Sequence, residues 1–139
     1  MATVQCFQDL RAWQLARELN RRVYSLSADG PFGRDFALRD QIRKASISVS
    51  SNVAEGFERR SPGDFARFLI IAKASAAEVL SQFYLALDLG YITDDDFADV
   101  HEHLDQTLKA LGGLIRYLRS ERGSTAREPD SLYDLNSEP

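Results

Sequence analysis

The 139 residues and 15.6 kDa of this chain make one ordinary domain, able to bury about two thirds of its unfolded surface. A composition 44% hydrophobic and 27% charged, with 4 Pro and 8 Gly, excludes collagen-like, low-complexity and wholly disordered chains. The net charge of -4 is unevenly spread, at +4 over residues 1–73 (12 Lys and Arg, 8 Asp and Glu) and -8 over 74–139 (5 and 13); this weighs against a dedicated nucleic-acid binder, although one basic face suffices for contact.

The single Cys6 has no partner for an internal disulfide, so packing must hold the fold and the expected compartment is the reducing cytoplasm. The first residues lack the basic start and apolar run of a signal peptide. Along the chain, Ala12, Ala16, Leu19, Val23 and Leu26 recur at helical spacing and predict a first helix over 8–26. Gly30, Pro31 and Gly33 then give turn chemistry. A second helix over 35–59 carries a stripe of Leu38, Ile42, Ala45, Val49, Val53 and Gly56, opposite a solvated side of Asp40, Lys44, Ser48, Ser51 and Glu55. Asp40 with Lys44 and Glu55 with Arg59 are spaced as ion pairs.

Ser61 as N-cap with Pro62 behind it marks the start of a third helix, 62–89, whose Phe65, Leu69, Ala72, Ala76, Val79, Phe83 and Ala86 alternate at four and three residues. Thr93 caps a fourth, 94–122, with three Asp in its first turn and a stripe from Phe97 to Leu118. Gly112 and Gly113 inside it predict either close approach of another backbone or a kink. No stretch alternates with period two, so the fold class is all-α: an antiparallel up-down-up-down bundle over 1–122 with a polar tail, 123–139, expected to be mobile.

Between Phe68 and Leu87 the only charges are Lys73 and Glu78, and Ile70, Ala74, Ala77, Tyr84 and Leu85 make the back of the third helix apolar too. Phe36, Ile47 and Ala54 draw a second apolar line on the second helix. Subunit packing is the simplest cover for both, so these eight residues are the expected oligomer interface, the alternative being a monomer that curls over them. A membrane span would bury Lys73 and Glu78 in hydrocarbon, and no membrane partner is expected.

No chemistry of an enzyme stands out, and neither a cofactor nor a small-molecule substrate is expected. His101 and His103 point apart on a helix and cannot share an ion, so they read as part of a solvated acidic face. Ser46, Ser48, Ser50 and Ser51 lack a nucleophile turn and a histidine base, and Cys6 has no histidine beside it in sequence. Arg39, Arg43, Lys44, Arg59, Arg60 and Arg67 form the candidate phosphate contacts; the alternative is solvated charge paired with nearby carboxylates. Only Phe57 and Phe65 interleave with them as aromatics, and both read as core.

The stretch Leu38-x2-Gln41-Ile42-Arg43-Lys44-Ala45, followed by Ser48-Val49-Ser50-Ser51-Asn52-Val53-Ala54-Glu55-Gly56-Phe57, resembles the bacterial four-helix bundle family of 23S rRNA intervening-sequence proteins. Phe7-x2-Leu10-x2-Trp13 and Phe65-x2-Phe68-Leu69-x2-Ala72-x2-Ser75-x2-Glu78 with Leu89-Gly90-Tyr91 agree, over residues 6–119. The resemblance implies a left-handed bundle assembled as a ring, most often a homopentamer, and supplies no catalytic residues. It also implies kinship with a basic branch, the accessory proteins of diversity-generating retroelements, which bind reverse transcriptase and nucleic acid; the charge of -4 departs from that branch. Within the motif Asn52 is placed to bond a neighbouring helix, Gly56 to permit close packing and Glu55 to pair with Arg59, the alternative being contact with RNA or protein.

Overall fold

The computed structural model describes residues 4–122, and the expected tail 123–139 lies outside them. Among the described residues there is no strand. A 3-10 turn, Phe7–Asp9, leads into α1 (Arg11–Leu26), α2 (Gly30–Arg34), α3 (Phe36–Glu58), α4 (Pro62–Asp88) and α5 (Asp94–Arg122). Four long helices were legible in the sequence. The first starts three residues later than the periodicity suggested, because Phe7 folds into its own turn and packs edge-on against Trp13 at 5.3 Å. The Gly-Pro segment is also more than a turn: α2 forms one helical turn that drives Phe32 into the core, stacked on Tyr91 at 5.6 Å. Five residues are too few for periodicity to reveal.

The helix starts follow the expected chemistry. The Asp35 carboxylate accepts from the Leu38 amide at 3.1 Å, and Ser61 Oγ accepts from the Asp64 amide at 3.4 Å. Thr93 and Asp96 form a reciprocal capping box, Thr93 Oγ1 accepting from the Asp96 amide at 3.0 Å and Asp96 Oδ2 from the Thr93 amide at 3.4 Å. α3 ends with Arg60 at a φ of 58°, a left-handed conformation usually left to glycine, with its guanidinium over the Phe57 ring at 4.9 Å.

The predicted stripes of α3 and α4 are buried throughout. The long helices pack as neighbours, α1 with α3, α3 with α4, α4 with α5, and α5 with α1. α3 meets α4 where Ser48 Oγ lies 2.9 Å from Ser75 Oγ, and again where Gly56 faces Phe65 and Phe68. A Cβ on Gly56 would stand 2.7 Å from Phe68 Cβ, so glycine sets how closely these helices approach. Gly112 differs. α5 runs through it as one helix, and a Cβ there would meet only the tips of Arg116 and Lys73, at 3.6 and 3.9 Å, so no close backbone accompanies Gly112.

Candidate interaction surfaces

The six expected phosphate contacts fall into two groups, because Lys44 and Arg59 stand 15 residues, about 22 Å, apart on one helix. Arg39 and Arg43 hold the α1–α2–α3 corner. Arg43 donates to Ser27 Oγ at 2.9 Å and the Ser27 carbonyl at 3.2 Å, while Arg39 donates to the Gly33 carbonyl at 3.1 Å and to Asp40 at 3.0 Å. Asp40 thereby pairs with Arg39 rather than with Lys44, which is exposed. Both guanidiniums lie on aromatic rings other than Phe57 and Phe65, Arg43 on Tyr24 at 4.3 Å and Arg39 on Phe36 at 4.6 Å. At the other end Arg59 pairs with Glu55 at 3.4 Å and lies over Phe68, and Arg67 pairs with Asp64 at 2.8 Å. All three pairs are exposed on at least one side and contribute little stability.

The family motif turns inward more than expected. Ser48, assigned to the solvated side, is half-buried and bonds Ser75 of α4. Asn52 does not reach a neighbouring helix; its amide donates to the Ser48 carbonyl at 2.8 Å and Ser48 Oγ at 3.0 Å, which orients the hydroxyl for the inter-helix bond. Val53 and Gly56 are buried, Ala54 is half-buried and Glu55 is exposed. On the far side of α3 the buried Ser46 donates to Asn20 Oδ1 at 2.6 Å, and Asn20 donates to Ser50 at 3.0 Å. Ser46, Ser48 and Ser50 therefore belong to helix contacts, and Ser51 is exposed.

His103 corrects its expected place on a solvated face. It is buried, with Nε2 donating to the Leu15 carbonyl of α1 at 2.8 Å, whereas His101 is exposed against Phe97. Among the described residues no three His, Cys, Asp or Glu groups are placed to hold a metal ion. Cys6 donates to Asp9 Oδ2 at 3.3 Å, which holds its thiol above the ordinary value, the reverse of an activated nucleophile. A shallow cleft of about 300 Å³ between α1 and α5 is spanned by the Arg22–Asp99 ion pair at 2.9 Å.

The residues expected at an oligomer interface lie on two separate flanks. Phe36, Ile47 and Ala54 follow the edge of α3 that faces α1, the edge from which Arg43 and Ser50 bond Ser27 and Asn20. Phe36 is 62% and Ile47 43% exposed, with Tyr24 beside them. Ile70, Ala74, Ala77 and Tyr84 follow the edge of α4 that faces α5, where Tyr84 meets Phe97 at 4.7 Å; Leu85 lies next to them. Ile70, Tyr84 and Leu85 are all more than 40% exposed. α4 is the one described helix whose length and mean hydropathy of 1.3 match a membrane span, and a third of that window is buried among the other helices.

The model of the 23S rRNA-intervening sequence protein family matches residues 8–113, which includes the Ser48–Gly56 motif and both flanks. The chain belongs to this family. No curated protein matches it in sequence. For a 23S rRNA-intervening sequence protein, the motif's place at the α3–α4 seam explains the residue types at Ser48, Asn52 and Gly56 by packing, and leaves the flanks as its outward surface.

Proposed function

We propose that this protein is a non-enzymatic assembly module of the cytoplasm. Its four long helices form a left-handed, antiparallel up-down-up-down bundle, and copies of that bundle pack through the two apolar flanks. The topology is supported by cross-helix contacts that climb one helix as they descend the next: Ser48 with Ser75 and Gly56 with Phe65, Tyr84 with Phe97 and Lys73 beside Gly112, Leu15 with His103 and Arg22 with Asp99. The observation that carries the assembly reading is the pair of exposed apolar lines, one through Phe36 and Ile47, the other through Ile70 and Tyr84. Two different patches on opposite flanks suit a head-to-tail contact, which closes into a ring when the rotation permits. A homopentamer is the ring that the family resemblance implies.

Light scattering on nucleic-acid-free protein tests this reading. A mass near five times 15.6 kDa is expected, and a monomer at every concentration would overturn it. The same measurement with added RNA addresses a second reading, a nucleic-acid-binding accessory protein. The gathering of Arg59, Arg60 and Arg67 around the α3–α4 turn favours it. A gain in mass that falls steeply with salt, and is lost when Lys44, Arg59, Arg60 and Arg67 are replaced by Ala, would place RNA binding first.

A further inference from the structure

The charge that divides the sequence also divides the two flanks. Residues 1–73, net +4, supply the α1–α3 flank, whereas residues 74–122, with 4 Lys and Arg against 9 Asp and Glu, supply α5 and most of α4 at net -5. On the α1–α3 flank, one end is both aromatic and cationic: Arg39 and Arg43 lie on the exposed rings of Phe36 and Tyr24. Each guanidinium keeps an unused donor. Arg43 engages Ser27 through Nε and Nη2, and Arg39 engages Asp40 and Gly33 through Nε and Nη1, so Arg43 Nη1 and Arg39 Nη2 have no acceptor among the described residues. Nor does any carboxylate among them pair with Arg43.

The α4–α5 flank carries the opposite charge at its own aromatic end. Asp88 lies one turn beyond Tyr84 on α4 and Asp94 three residues before Phe97 on α5, so two carboxylates bracket the Tyr84–Phe97 contact. Both are exposed, and neither has a cation within ion-pair distance among the described residues. The two charged ends also lie at the same end of the bundle. Tyr91, between α4 and α5, stacks on Phe32 of α2 and donates at 2.8 Å to Asp35, the residue before Phe36.

A closed ring is generated by rotation alone, with no rise, so copies that pack through flanks running along their helices meet at the same height. We infer that each junction seats the Asp88–Asp94 end of one copy's α4–α5 flank on the Arg39–Arg43 end of the next copy's α1–α3 flank. The inference rests on the assembly reading and adds its polarity: the partner of the cationic, aromatic end is the acidic, aromatic end of a second copy. Complementary charge of this kind fixes register and rejects like-charged pairings.

Light scattering of the parent comes first, because a monomer at every concentration fails the assembly reading and this inference with it. With the parent assembled, two double variants of equal charge change separate the inference from general repulsion. Asp88→Lys with Asp94→Lys is expected to raise the concentration for half-assembly at least about tenfold in about 0.01 M salt, and far less in about 1 M salt, where screening acts beyond about 3 Å. Asp95→Lys with Glu102→Lys, at exposed positions on the outer side of α5, is expected to stay within about twofold of the parent. Equal shifts for the two variants, or none for the first, would overturn the inference and leave assembly standing. Orientation is read from cysteine coupling in a Cys6→Ser background, in mixtures whose mass matches the parent's. A short bismaleimide is expected to join a Phe36→Cys copy to an Asp94→Cys copy but not to an Ile70→Cys copy, since Ile70 lies 14 residues, about 21 Å, along α4 from Tyr84. Coupling at Ile70 instead, or at neither, would overturn it.

Discussion

Glycine shows how far a residue's meaning depends on its neighbours. At Gly56 a methyl group would push into Phe68 Cβ at 2.7 Å and the Phe65 ring at 2.9 Å, neither of which is a flexible side-chain end, so Gly56→Ala is expected to cost about 1–3 kcal/mol. At Gly112 the same methyl group meets only side-chain tips at ordinary contact distance, so Gly112→Ala is expected to gain about 0.5–1 kcal/mol from helix propensity. Urea unfolding of the two variants checks both signs. Asp35 gives a second residue-scale prediction. The Leu38 amide first, then the Tyr91 hydroxyl at 2.8 Å, hold its carboxyl below the ordinary carboxylate value. A depressed carboxylate stabilises the fold above its unfolded pKa of about 3.9, and the stabilisation is lost as pH falls through the folded value. The stability gap between the parent and Tyr91→Phe is therefore expected to narrow from pH 7 to pH 3; an equal gap at both would contradict the role of the Tyr91 bond.

At the scale of elements, the corner between α1 and α3 depends on Arg43, which ties the buried Ser27 through two hydrogen bonds while lying on Tyr24. Arg43→Ala is expected to cost about 1–3 kcal/mol and to speed amide exchange across α2, whereas Lys44→Ala, at an exposed position, is expected to stay within about 0.5 kcal/mol of the parent in a thermal melt. The sequence made the long helices legible because their apolar stripes persist for six or seven positions and their caps, Ser61 and Thr93, are unambiguous. It did not reveal α2, whose one turn seats Phe32, nor that Arg39 and Arg43 are engaged by the Gly33 and Ser27 carbonyls, which depends on where α2 places them. His103 was misplaced for a similar reason. Its neighbours in sequence are acidic, but its angular position puts it against the Leu15 carbonyl of α1. Ser48 was assigned to the solvated face because a serine has no apolar signal, though its partner Ser75 sits on the adjoining helix.

At the scale of the whole molecule, the long helices bury nearly all of their core stripes and still leave large apolar groups on two flanks. α5, by contrast, turns Asp95, Asp99 and Glu102 to solvent. The apolar back of α4 was readable in sequence as a scarcity of charge; that it faces away from the α3 line was not, because it depends on how α3 and α4 sit against α1 and α5. This separation gives the account its sharpest consequence. In a head-to-tail contact each junction uses one flank from each copy, so Ile47→Asp disables one half of every junction and Tyr84→Asp the other. Both substitutions fall on exposed positions and are expected to leave the fold intact by circular dichroism. The decisive measurement is the light-scattering mass of an equimolar mixture of the two variants. Each alone is expected to be a monomer of 15.6 kDa and the mixture to form a dimer and nothing larger, since one intact junction remains possible. A mixture that stays monomeric, or variants that each retain the parent's mass, would contradict head-to-tail assembly through these flanks.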